Sequence, residues 1–135
     1  MDRVSAEDAA HVAEFLAALR AFMRTTERNA RAAGLTPQRY LLLLMIKGAP
    51  DRSERSTVTE LAERLQLAQS TVTELVRRAE ETGLLERERS SADGRIAYLR
   101  LSAEGEQRLA RSFTSNETER RTLTQAFSHL EGKPR

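Results

Sequence analysis

The stretch LLERERSSADGRIAYLRLS, residues 84–102, interrupts a chain otherwise rich in helix formers. Leu85, Arg87 and Arg89 alternate with Glu86 and Glu88; beyond SSADG, Ile96, Tyr98 and Arg100 alternate with Ala97, Leu99 and Leu101. A period of two is that of a strand, whose successive side chains point to opposite faces, so the first segment should carry arginines on one face and acids on the other. The Ser, Asp and Gly residues in between favour tight or left-handed backbone positions. The stretch therefore predicts a β-hairpin with a basic tip. A lone two-stranded hairpin is marginal in water, so its apolar side must lie against helices.

Those helices are legible on both sides. Ser5 with Asp8 marks a helix start, and Val12, Phe15, Leu16, Leu19, Phe22 and Met23 follow at helical spacing until Gly34. Thr36 before Pro37 is an N-cap followed by a residue pre-set for the first turn, and YLLLLMI is apolar nearly all round, so this second helix should be the buried centre. GAPDRSERS, residues 48–56, is a polar loop. Thr57 and Glu60 form a capping-box pattern opening a short helix whose Val58, Leu61, Ala62 and Leu65 face inward. After the link 66–68, a further helix is expected over 69–82, ended by Gly83.

Beyond Ser102 two readings stand. One unbroken helix over 102–130 would be roughly 44 Å long, with Leu109, Phe113, Asn116, Arg120, Leu123, Phe127 and Leu130 as its stripe. Alternatively it breaks near Ser115, a plausible N-cap. In either case the stripe has few apolar partners left in its own domain, and a second copy of the chain is the economical cover. The tail EGKPR is expected to fray.

The expected fold is mainly α with a small two- or three-stranded β-wing: a winged helix-turn-helix flanked by N- and C-terminal dimerisation helices. A chain of 135 residues is most simply one domain, with 36–101 as the winged-helix lobe and 5–34 and 102–131 as the dimerisation helices.

Composition narrows the function. Absence of cysteine removes disulfides, thiolate chemistry and iron–sulfur clusters. The two histidines, His11 and His129, lie at opposite ends of the chain and neither is part of a metal-binding motif such as H-E-x-x-H, so no metal and no cofactor is expected. There is no Gly-rich phosphate loop, Ser-x-x-Lys or paired catalytic carboxylate, which argues against an enzyme. Four Phe, two Tyr and no Trp are too few for a single-strand stacking platform. No apolar run approaches a membrane span and the N-terminus lacks a signal-peptide layout, so a cytoplasmic protein is expected. Net charge is only +2; if double-stranded DNA is the partner, the positive charge must be arranged rather than abundant.

At 100° per residue, Val72, Leu75, Val76 and Ala79 share one side of the helix over 69–82, with Ser70, Thr73, Glu74 and Arg77 opposite and Thr71 and Arg78 on a flank. In a helix-turn-helix the outward side of the second helix enters the major groove. The candidate DNA-contacting set is therefore Gln69, Ser70, Thr71, Thr73, Glu74, Arg77 and Arg78, with Arg87, Arg89, Asp93 and Arg95 from the hairpin. Arg77 can take guanine bidentately and Glu74 can accept from a cytosine amine. Asp93, two residues before Arg95, can hold that guanidinium in one orientation before DNA arrives. Against this stands the cost of aiming Glu74, with Glu80 and Glu81 nearby, at a polyanion. A winged-helix module that binds protein instead of DNA is the alternative, and near-neutral charge favours it.

The segments GLTPQRYLLLLMI, TVTELAERLQLAQSTVTELVRRAEETGLLER and DGRIAYLRLSAEGE resemble the MarR-type transcriptional regulators from about Phe15 to Leu109. The last contains a D-x-R wing pattern at Asp93 and Arg95, then an apolar-Ser-x-x-Gly helix start at 101–105. The resemblance implies a homodimer formed by the terminal helices, recognition helices in successive major grooves of a pseudo-palindromic site, wing arginines in the minor groove, and a small-molecule or stress signal that alters the spacing of the two DNA-binding lobes; the expected function is a sequence-specific regulator, a repressor responding to an organic ligand. An effector pocket would draw on helices one, two and five, where His11, Arg20, Arg24 and Tyr40 are the polar candidates. Departures from the family pattern are Ala68 at the recognition helix N-cap, Ala79 in place of a commoner Leu, a longer loop at 51–56, and, if Ser115 starts the family's last helix, a stretch between Ser102 and Ser115 about a dozen residues short.

Overall fold

The computed structural model describes residues 2–131; the expectation for the tail falls on 132–135, outside them. Among the described residues the order is α1 (Ala6–Ala32), α2 (Pro37–Lys47), α3 (Val58–Leu65), α4 (Gln69–Glu81), β1 (Leu85–Arg89), β2 (Ala97–Leu101), α5 (Ala103–Thr114) and α6 (Glu117–Leu130). This is a mainly α winged helix-turn-helix flanked by terminal helices.

Local chemistry sets most boundaries. Ser5, Thr36, Thr57 and Ser102 each accept a backbone N–H three residues on, and at Thr57 the Glu60 carboxylate returns the bond as a full capping box. α1 and α4 both end in the Schellman arrangement: Leu35 N–H reaches Ala30 O at 2.8 Å, Leu84 N–H reaches Ala79 O at 2.9 Å, and Gly34 and Gly83 take φ of 78° between them. Leu35 and Leu84, thrown inward by these turns, are both buried. The two helices stop at Ala32 and Glu81, slightly short of the glycines themselves.

The hairpin pairs Leu85 with Leu101, Arg87 with Leu99 and Arg89 with Ala97 on one face, and Glu86 with Arg100 and Glu88 with Tyr98 on the other. Ile96 lies outside the strand, 39% exposed at the tip. The third strand is reduced to one bridge, in which Ser56 and Leu99 exchange backbone bonds of 3.1 and 2.8 Å just before α3 begins. At the base, Ser102 N–H donates to Leu84 O at 3.0 Å, and Gly105 sits so close to that carbonyl that a side chain there would overlap it. The apolar edge of the wing is thereby fixed to the end of α4.

The core gathers Leu42, Leu43 and Ile46 of α2, Leu61 of α3, Val72, Val76 and Ala79 of α4, and Leu85, Leu99 and Leu101 of the wing, all nearly inaccessible. α2 is the centre because α1, α3, α4, β2 and α5 all pack on it, as its all-round apolar sequence requires.

The C-terminal segment is two helices. The single helix over 102–130 does not form, and Ser115 is not an N-cap: it closes α5, its hydroxyl donating to Arg111 O, while Asn116 precedes α6 at φ −97° and ψ 6° without capping through its side chain. Asn116 is instead fully buried, its side-chain oxygen accepting from Asn29 at 2.7 Å and its amide donating to the Tyr40 hydroxyl at 3.3 Å. The chain turns here so that α6 runs back along α1, with Phe127 against Phe15 and His129 against Glu14. The proposed seven-residue stripe is consequently split: Leu109 and Asn116 are buried, but Phe113 and Phe127 are 40% and 48% exposed, and Ala126 is the buried residue of α6.

Candidate nucleic-acid interface

α4 rests on α2 and α3 through Val72, Val76 and Ala79, and leaves Gln69, Ser70, Thr71, Thr73, Arg77 and Arg78 exposed. Its N-terminus lacks a side-chain cap because Ala68 occupies that position in the extended conformation a Ser or Thr would use. Beside it, Gln38 from the start of α2 joins Ser70, Thr71, Glu74, Leu75 and Arg78 around an open groove of about 390 Å³. Nothing in the sequence singles out Gln38, since only tertiary packing brings α2's first turn to this face.

The charges on this face are paired. The Glu74 carboxylate accepts from Arg77 Nε at 3.0 Å and Nη2 at 2.5 Å, and from Arg78 Nε at 2.9 Å; Arg77 Nη1 continues to Glu81. Hydrogen bonds from Arg77 first, and from Arg78, hold the Glu74 carboxyl at about 2 against an ordinary 4.5. Arg87 forks onto Glu80 at 2.8 and 3.1 Å, which ties the first wing strand to the last turn of α4.

The wing tip is pinned from within. Ser90 Oγ accepts the N–H groups of Ala92 and Asp93, and Arg89 donates to Gly94 O at 2.8 Å. The Asp93 carboxylate accepts from the Arg95 backbone at 3.0 Å and from its guanidinium at 3.2 Å, and these bonds, the side-chain one foremost, lower its pKa. Arg95 remains 92% exposed, a guanidinium held by one carboxylate and otherwise in solvent. Behind the wing, Arg55 from the long loop lies 4.1 Å over the Tyr98 ring and 2.7 Å from Glu88. Residues 33 positions apart make that ion pair, so no local pattern announces it.

Two of the four effector candidates come together: Arg20 and Arg24 line a groove of about 430 Å³ on α1 with Leu16, Leu19, Met23 and Glu27. Tyr40 is 5% exposed and borders a separate cavity of about 30 Å³, room for roughly one water. His11 is half-buried further along α1 and lines neither. Among the described residues no group of three or more His, Cys, Asp or Glu residues is placed to hold a metal ion, and no helix is long and apolar enough to cross a membrane.

A helix-turn-helix whose second helix stands free on one side, with an arginine-tipped hairpin beside it, defines the winged-helix class. Residues 33–96 match the model of the MarR family. The fold is similar to AbsC, a MarR family transcriptional regulator from Streptomyces coelicolor: 18% identity, 93% of this chain and 84% of that one, TM-score 0.68. It is also similar to a mutant MarR from E. coli complexed with operator DNA, at 18% identity, 80% and 75% coverage and TM-score 0.65. The transcriptional regulator Tm0710 from Thermotoga maritima is similar at 28% identity, 79% and 75% coverage and TM-score 0.61. No curated protein matches the sequence. The chain has a winged helix-turn-helix fold shared with these structures, and over residues 33–96 it is similar to the MarR family.

Proposed function

We propose that this protein is a sequence-specific double-stranded DNA-binding transcriptional regulator, acting as a homodimer on a pseudo-palindromic operator. The observation that carries the reading is the exposed face of α4, Ser70, Thr73 and Arg77, next to an internally hydrogen-bonded wing whose Arg95 is 92% exposed. Such a pair of prongs matches one major groove and the flanking minor groove or phosphates. Operator DNA bound to the structurally similar MarR from E. coli supports the same partner here.

A homodimer is supported by Val12, Leu16 and Met23 on α1, 42–50% exposed at helical spacing, and by Phe113 and Phe127 on the C-terminal helices. One apolar face that its own chain leaves uncovered is what a second copy would bury. The lobe over 36–101 then reads DNA, while 5–34 and 102–131 hold the two copies. Repression relieved by an organic effector is the regulatory form we favour; the groove that holds Arg20 and Arg24 also holds Glu27 and shares Leu16 and Met23 with the proposed contact between copies, so an effector there would bind at the dimer seam.

The test is a footprint on DNA flanking the gene, followed by titration of the protected duplex at low and high salt. Affinity should fall steeply with salt. Arg95→Ala should weaken binding and lower the slope by about 0.9 for each phosphate that the variant no longer neutralises. A second reading, a protein-binding winged helix, draws on the pairing of Glu74, Glu80 and Glu81 with the arginines of this face. It requires that selection from random duplexes enrich no sequence.

A further inference from the structure

Positions 74, 77, 78 and 81 of α4 carry two acids and two arginines that satisfy one another. Glu74 bridges both arginines, and Arg77 is held between Glu74 and Glu81, so the quartet has no formal charge. Arg87 is held by Glu80 and Arg95 by Asp93. Of the basic residues assigned to DNA contact, Arg89 alone is held by a neutral group, the Gly94 carbonyl. The pairs are exposed, with side-chain accessibility of 45% at Glu74, 52% at Arg77 and 60% at Arg78, so each adds little to stability and can be exchanged for another partner.

Exchange is the point. Generic affinity for duplex DNA comes from cations that neutralise phosphates and release counterions. An arginine already neutralised by a carboxylate must give up that partner to take a phosphate, and the freed carboxylate is then left facing a polyanion. A base pair offers more. Guanine O6 and N7 accept both donors of Arg77, and a neighbouring cytosine N4 amine gives the displaced Glu74 carboxylate a donor. Sequences that supply both replace the broken bonds; sequences that supply phosphate alone do not.

Building on the DNA-binding reading above, we infer that Glu74 is a specificity-determining residue: it neutralises Arg77 and Arg78 within α4 and thereby penalises duplex contacts that offer only phosphate. The residue discriminates chiefly by suppressing the wrong complexes.

The experiment compares the full chain with Glu74→Gln, Glu81→Gln and Glu7→Gln on two duplexes of equal length, one carrying the footprinted site and one of random sequence, over about 50 to 200 mM salt. Glu7→Gln makes the same charge change on α1, away from this face. Glu74→Gln should tighten binding to the random duplex and lower the ratio of specific to random affinity. Freeing one arginine in each of two subunits should steepen the random-duplex salt slope by about 1.8, an additional drop of roughly tenfold across that salt range. Glu81→Gln, which releases one Arg77 donor, should act in the same direction and less, and it carries the test should Glu74→Gln not fold. If the unaltered chain prefers its site but both variants bind random duplex as Glu7→Gln does, the inference is overturned while the function stands. If the unaltered chain prefers no duplex, the DNA-binding reading falls and takes the inference with it.

Discussion

Asn29 of α1 donates to the side-chain oxygen of Asn116 at 2.7 Å, across 87 residues of chain. Asn116 in turn donates to the Tyr40 hydroxyl, so one buried amide joins α1, α2 and the junction of the last two helices. Removing it would take one acceptor from Asn29, which keeps its bond to Ser115 O, and leave the buried Tyr40 hydroxyl without its Asn116 donor. Asn116→Ala should cost about 2 kcal/mol in urea unfolding, and more than Asn116→Asp only if the new carboxylate stays protonated. An unchanged unfolding midpoint for the alanine variant would show that the contact is incidental.

Ala68 leaves the first turn of α4 without a side-chain acceptor although its φ of −64° and ψ of 148° suit one. Ala68→Ser should therefore stabilise the protein by about 1 kcal/mol, seen as a higher urea midpoint at unchanged slope. No gain would mean that water already satisfies those N–H groups fully.

Leu16 is half exposed between Val12 and Leu19 on the outer side of α1. In the homodimer proposed above it lies at the contact between copies. Leu16→Lys should weaken self-association by about tenfold or more in sedimentation equilibrium while leaving the far-ultraviolet circular dichroism of the lobe intact. A dimer of undiminished strength would place the contact elsewhere.

The Glu74 carboxyl, ordinarily near 4.5, is held at about 2 by Arg77 and Arg78. A carboxylate depressed in the folded state contributes stabilisation that is complete above its unfolded pKa and disappears as pH falls through the folded value. The Glu74 pairs should thus be complete above about 4.5 and broken towards about 2, and DNA affinity near neutrality should show no titration from this residue. Carboxyl carbon chemical shifts followed by NMR would check this, a Glu74 midpoint above about 4 being the contrary result.

The helix ends are legible in the sequence because their determinants are local. Ser5, Thr36, Thr57 and Ser102 sit three residues before the N–H they accept, and Gly34 and Gly83 occupy the left-handed positions that end α1 and α4. The hairpin is legible from alternation alone. The turn at Asn116 is only half legible, since a break near Ser115 is one of two readings and the side chain that decides it spends its bonds on Asn29 and Tyr40. Similarly, Glu74, Arg77, Arg78 and Glu81 stand at helical spacings visible in the chain, yet Arg77 could equally point to solvent; which rotamer it takes depends on having both acids within reach. The Arg55 stack on Tyr98 has no sequence signal at all.

α5 has 12 residues, a spoke of about 18 Å from the foot of the hairpin to the Asn116 corner. Tilting a rod of that length by about 10° swings its far end by about 3 Å, close to the roughly 3.4 Å axial spacing of stacked base pairs. On the proposed operator, angular play at the corner would therefore amount to about one base-pair step. In the DNA-binding function proposed above, the Asn29–Asn116–Tyr40 bonds beneath that corner are the contacts that would limit such play.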